Sequence, residues 1–316
     1  MRFRPILALI VAGSLCGGGA IGHELPRGNA QQQQGRPGVA AQDQSSLEQR
    51  QMQKEESEAD VSGNPSTAPF KWAGRLVYVA TKAGDSFSCS AQFIGPRVLL
   101  TAGHCVYDID KNAYYSPQNL AFILQYQNGT GTHVYHAKCA ATLAGYSYPK
   151  NYASISDADK RDAFLTASQW DYGMILVDAD SITGSFTSQT DWKGKWRGAT
   201  RIGYPAEILG TEIIQRVHGL IFFADDIPIF DKSYPGLVVH WQDNSRFTSG
   251  SSGGAWIAQI DSAEAQRNNI VIGLNSFHIV KGFSSAVSAL PGAEFGPYFR
   301  SADYNALYKW VANGCK

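Results

Sequence analysis

The sequence has no surplus of charge of either sign: 27 Lys and Arg stand against 27 Asp and Glu in 316 residues. No basic cluster breaks this balance, so the electrostatic footprint of a nucleic-acid partner is missing. Past the first residues, no stretch approaches the ~18 continuous apolar residues that cross a bilayer as a helix, which argues against a membrane anchor in the mature chain. Cysteine is sparse, with five in all. His133, His136 and Cys139 come closest to a zinc spacing, but no further ligand stands at a recognised distance, so neither metal nor cofactor is expected.

What is present divides the chain into zones. A basic start (Met1-Arg2-Phe3-Arg4), a short apolar core to Leu15 and the small residues Gly17 to Ala20 form a secretory signal over 1–22. Cleavage is expected after Ala20 or Gly22, and Leu15 before Cys16 does not fit a lipidation box. Residues 23–69, with Gln31 to Gln34 and few large apolar side chains, cannot bury enough surface to offset their ordering entropy. They are expected to be a disordered pro-segment or linker. The remaining stretch, 70–316, is rich in Val, Ile, Tyr, Phe and Trp and long enough for two packed β-barrels. Without Cys16, four cysteines remain (Cys89, Cys105, Cys139, Cys315), an even set that implies two disulfides among three pairings in an exported chain.

Three short motifs carry chemistry. Thr101-Ala102-Gly103-His104-Cys105 places a histidine just past the strand-like Val98 to Thr101. Asp171 stands directly before the apolar run Tyr172 to Val177, and Ser252 sits among glycines in Gly250-Ser251-Ser252-Gly253-Gly254. Serine is a poor nucleophile at neutral pH, so it needs an adjacent base, and the base needs a carboxylate to orient it. Each motif alone reads as a loop or a packing site. Together, in the order His, Asp, Ser, they point to one hydrolytic site.

On these residues, and on Gly203-Tyr204-Pro205 and Ile272 to Phe277, the chain from about 70 onward resembles the trypsin/chymotrypsin-fold serine endopeptidases. It stands nearest the bacterial glutamyl-endopeptidase-like (V8-like) branch. The resemblance implies an all-β fold of two six-stranded antiparallel barrels, about 70–180 and 197–300, with a C-terminal helix at about 301–313. It implies a catalytic triad of His104, Asp171 and Ser252, an oxyanion hole from the Gly250 and Ser252 N–H groups, and disulfides Cys89–Cys105 and, by subtraction, Cys139–Cys315. From His104 to Asp171 is 67 positions, which implies surface insertions near 110–115 and 146–162.

The same resemblance marks Arg246, six positions before Ser252, as the pocket floor, and Ser276, Phe277 and His278 as the cleft strand. A basic floor suits an acidic side chain, and an apolar or broad pocket is the other reading. Ser251 departs from the trypsins, which have an aspartate there to receive the N-terminal ammonium after activation. The resulting expectation is a secreted endopeptidase, extracellular or periplasmic, acting on polypeptides, with a monomer favoured and the oligomeric state left open. One alternative is a catalytically inactive binding protein of the same fold. Another is a high-temperature-requirement-like protease, for whose PDZ domain the 64 or so residues after Ser252 are too few.

Overall fold

The computed structural model describes residues 61–79, 86–193, 198–205, 213–226, 232–242, 247, 249–260, 268–278 and 293–316. Six strands rich in β-branched and aromatic residues build the first half: β1 (Ala73–Tyr78), β2 (Phe87–Phe93), β3 (Val98–Thr101), β4 (Leu120–Leu124), β5 (His133–Thr142) and β6 (Gly173–Val177). They pair antiparallel in the order β1-β2-β3-β6-β5-β4, and β4 returns to β1 to close a barrel. Closure leaves none of these six strands with an open edge. Phe93, Phe122 and Tyr135 fill its interior, with Phe93 edge-on to the other two rings at 5.4 and 5.0 Å.

The second half contains β7 (Gly198–Gly203), β8 (Gln215–Phe223), β9 (Leu237–Trp241), β10 (Ala255–Ala258), β11 (Ile270–Leu274), β12 (Phe277–His278) and β13 (Glu294–Pro297). They form a sheet in the order β11-β10-β7-β8-β9-β13-β12. The two-residue strand Val61–Ser62 lies on β8, and Thr187–Ser188 runs parallel to β11. In this seven-strand order the first and last members, β11 and β12, are consecutive in the chain. One strand changes partner at Asn275-Ser276, pairing with β10 before the break and with β13 after it. This break is where the second half departs from a simple six-stranded barrel, and it lies at the functional site.

Among the described residues, two α-helices complete the fold. The C-terminal α2 (Ser301–Ala312) buries Tyr304, Leu307 and Val311, and Cys315 just beyond it is bonded to Cys139 of β5. The other helix, α1 (Asp157–Ser168), falls in the long stretch between His104 and Asp171, where only surface loops are expected from sequence. Its start is coded by Ser156, whose Oγ accepts from the Asp159 N–H at 3.2 Å as an N-cap.

Candidate active site

His104 lies in a single helical turn, Gly103–Cys105, immediately after β3. The Cys89–Cys105 disulfide ties that turn to β2. Asp171 follows the last turn of α1, where its N–H donates to the Ser168 carbonyl at 3.2 Å. The aspartate holds the histidine at two points. Asp171 Oδ1 accepts the His104 backbone N–H at 2.8 Å, and Oδ2 lies 2.8 Å from His104 Nδ1. A third donor, Ser276 Oγ, also reaches Oδ2.

The carboxylate side chain is almost fully buried at 4% exposure, whereas the imidazole is 34% exposed. Burial alone would push the Asp171 carboxyl up, but the His104 charge and the hydrogen bonds from His104 and Ser276 hold it below its usual range. Burial likewise opposes the imidazolium, yet the Asp171 charge and hydrogen bond outweigh it, with Glu294 adding in the same sense, so the His104 pKa is raised.

The loop that carries Ser252 belongs to the second half but is held by the first. Ser90 N–H donates to the Ser252 carbonyl at 2.8 Å, Ser90 Oγ to the Gly250 carbonyl at 2.9 Å, and Gln92 Nε2 to the Gly253 carbonyl at 3.0 Å. Ser90 and Gln92 are buried on β2, two residues apart and so on one face of the strand. Sequence reasoning missed both. The signal for them is the run of polar residues at period two, Ser88, Ser90 and Gln92, on one face of this strand.

Asn275 works from the other side. Its Nδ2 donates to the Ser251 carbonyl at 3.0 Å and the Ile202 carbonyl at 2.9 Å, and its own carbonyl accepts the Gly253 N–H at 2.7 Å. Gly253 has φ +83°, and a Cβ on Gly254 would lie 2.0 Å from the Ile202 carbonyl oxygen, so neither position admits a side chain without displacement.

Ser252 is half-buried at the tip of this loop. Cys105 Sγ lies 3.9 Å from its carbonyl oxygen, which brings the loop against the histidine turn. No hydrogen bond joins Ser252 Oγ to His104 in the described residues; such bonds are often open without substrate and tighten in its presence. Gly250 adopts φ +94° and gives its carbonyl to Ser90. Among the described residues, neither the Gly250 N–H nor the Ser252 N–H is taken up by a hydrogen bond. Two backbone donors beside the serine are thus available to an anion.

Arg246 lies outside the described residues. Ser276, expected on a substrate-binding strand, is buried with its hydroxyl on Asp171. Phe277 is half-buried and stacks on Phe295 at 5.1 Å, and His278 beyond it is exposed. Cys139 is joined to Cys315 and so is not a thiolate available to a metal. The second half also holds an ion pair absent from the sequence reading, Arg201 with Glu294 at 3.6 Å, with side chains 1% and 5% exposed. Burial holds the Glu294 carboxyl above its ordinary range against the pull of Arg201.

A closed six-stranded antiparallel barrel followed by a second sheet and a C-terminal helix matches a known architecture. This is the chymotrypsin-like fold. Protease Anisep from Arthrobacter nicotinovorans superposes with a TM-score of 0.56 at 20% identity, over 81% of this chain and 100% of that one. A Glu endopeptidase in complex with MPD gives 0.55 at 18%, over 81% and 97%. An inactivated protease paralogue of the scabies mite gives 0.55 at 11%, over 81% and 99%. The sequence matches no protein-family model and no curated protein. At these identities the likeness carries the fold. Active and inactivated proteases share it, so activity must be argued from the site itself.

Proposed function

We propose that this chain is an exported serine endopeptidase that cleaves polypeptides by acyl transfer to water. The observation that carries the reading is the double hold of Asp171 on His104, beside a glycine-flanked Ser252 with two unengaged backbone N–H groups. His104 Nε2 takes the Ser252 proton as Oγ attacks the substrate carbonyl carbon. The resulting oxyanion is received by the Gly250 and Ser252 N–H groups, each donor of this kind being worth about 10²–10³ in rate. As the intermediate collapses, His104 hands its proton to the leaving amine. Water then repeats the sequence on the ester and frees Ser252.

Asp171 stays ionised throughout, fixing the tautomer with Nδ1 protonated and stabilising the imidazolium. Export is supported by two disulfides, which persist in oxidising compartments. Among the described residues no helix is long and apolar enough to cross a membrane.

The open Ser252–His104 contact leaves a second reading, an inactive binding protein of the same fold. Incubation with a peptide library separates the two. The enzyme cleaves internal bonds, and Ser252→Ala abolishes that cleavage; a purified chain that cleaves nothing, or whose cleavage survives Ser252→Ala within about tenfold, overturns the proposal.

A further inference from the structure

Helix α1 is part of the chain segment that leads into the first barrel's β6, yet it packs on the second half. Leu165 is buried with Tyr234, Leu237 and Phe295. Asp162 accepts from Tyr234 Oη at 2.7 Å and from Lys232 Nζ at 2.9 Å. The Gln169 side-chain carbonyl, one residue past the helix, accepts the Gly236 N–H at 2.8 Å. These contacts fix α1 as a wall of the site rather than a mobile lid.

What that wall covers is Phe277. The Phe164 ring stands edge-on to the Phe277 ring at 4.9 Å, and Phe277 stacks on Phe295. Phe277 begins β12, the last strand of its sheet, which pairs with β13 on one side and with no strand on the other among the described residues. An unpaired edge next to the triad is where an extended peptide would add as a further strand. In the proposed reaction His104, carried by the first barrel, hands its proton to the leaving amine. The amino-side half of the substrate stays on Ser252 and lies along the second half, toward β12 and Phe277.

We propose that α1 ends the substrate cleft: Phe164 occupies the apolar surface of Phe277 that side chains beyond the second residue before the cleaved bond would otherwise reach. The inference rests on the peptidase reading above and makes Phe164 a specificity determinant. It predicts an enzyme that reads few residues on the amino side of its bond.

The test uses chromogenic peptides with the same residue at the cleaved bond and one to four residues before it, the farther ones bulky and apolar. For the wild type, kcat/KM is expected to change less than about threefold between two and four residues, whereas Phe164→Ala gains about tenfold or more on the longest substrate and nothing on the shortest. Phe164→Leu, which retains most of the packing, gives a smaller gain of the same pattern. Labelling of Ser252 by a fluorophosphonate at the wild-type rate reports that the variants keep an intact site. If Phe164→Ala loses that labelling, the wild-type series and Phe164→Leu decide. With Ser252 labelled, a wild type that already gains tenfold with length, or variants that change equally at every length, overturns this inference alone. An unlabelled wild type overturns the peptidase reading and this inference with it.

Discussion

Ser276 Oγ donates to Asp171 Oδ2, the same oxygen that faces His104 Nδ1. The buried carboxylate therefore has a donor on each side of that oxygen, and Oδ1 has the His104 backbone N–H. A carboxylate in this position must be ionised, must not rotate, and must not find a better partner than the imidazole. Ser276 serves all three needs, because it sits at the point where the second sheet's strand changes partners and cannot move without breaking that junction.

Ser276→Ala should act through Asp171 and not through substrate contact. Hydrogen bonds to charged groups are worth about 1.5–3 kcal/mol, so kcat is expected to fall about ten- to a hundredfold with KM little changed. The carboxylate, with one donor fewer, pulls harder on the imidazolium, so the acid limb of the rate profile should move to higher pH. A loss seen in KM alone would mean that Ser276 contacts substrate instead.

The triad pair makes opposite demands on pH. His104 must be neutral to accept the Ser252 proton, and its pKa is raised above the ordinary 6.5, so activity should fall as pH drops through that raised value. Stability runs the other way for the histidine: its contribution is fully present below 6.5 and is lost as pH rises through the folded pKa. Asp171, with a lowered pKa, contributes above its ordinary 3.8 and loses that contribution as pH falls through its folded value. The pair thus stabilises most between 3.8 and 6.5, on the acid side of the activity limb. In Asp171→Asn the limb should move to lower pH while the rate collapses; paired rate and denaturation profiles read both effects.

The motifs of the proposed site were legible in the sequence, and the scaffolding that holds them was not. TAGHC, the aspartate before a buried strand and GSSGG are local signatures, because a tight turn, a disulfide and glycines without room for a Cβ are written in adjacent residues. The resemblance implied Cys89–Cys105 and left Cys139–Cys315 by subtraction, and the structure joins both pairs. The hold of Ser90, Gln92 and Asn275 on the Ser252 loop went unseen because it acts across 24 to more than 160 positions of sequence. Helix α1 was read as loop because only three of its residues are buried and its apolar periodicity is weak. Its Ser156 cap was the available clue.

Activation should not require a free N-terminus. Ser251 is neutral and buried, with its carbonyl taken by the Gly254 N–H and Asn275 Nδ2, while residues 61–63 are hydrogen-bonded along β8 and the residue before it. Chains beginning at different points between Asn64 and Ala68, or carrying a short extension, should hydrolyse a small ester at similar rates. One active start with a more than tenfold loss on adding a single residue, ~1.4 kcal/mol, would contradict this.

The Cys139–Cys315 bond spans 176 residues of sequence and joins the end of α2 to β5, on strands and helices that do not carry the triad. Replacing both cysteines by alanine should lower stability by about 2–5 kcal/mol in denaturant titrations. At a temperature where the chain stays folded, kcat should be unchanged. A large kcat loss in the folded variant would mean that α2 supports the site directly.

The most direct test of the central claim is where a fluorophosphonate bonds. The account predicts stoichiometric labelling, found by mass spectrometry of the digested protein on Ser252 alone, with the rate reduced by several orders of magnitude in His104→Ala because the serine then lacks its base. Labelling on another residue, no labelling, or an unchanged rate in His104→Ala would contradict it.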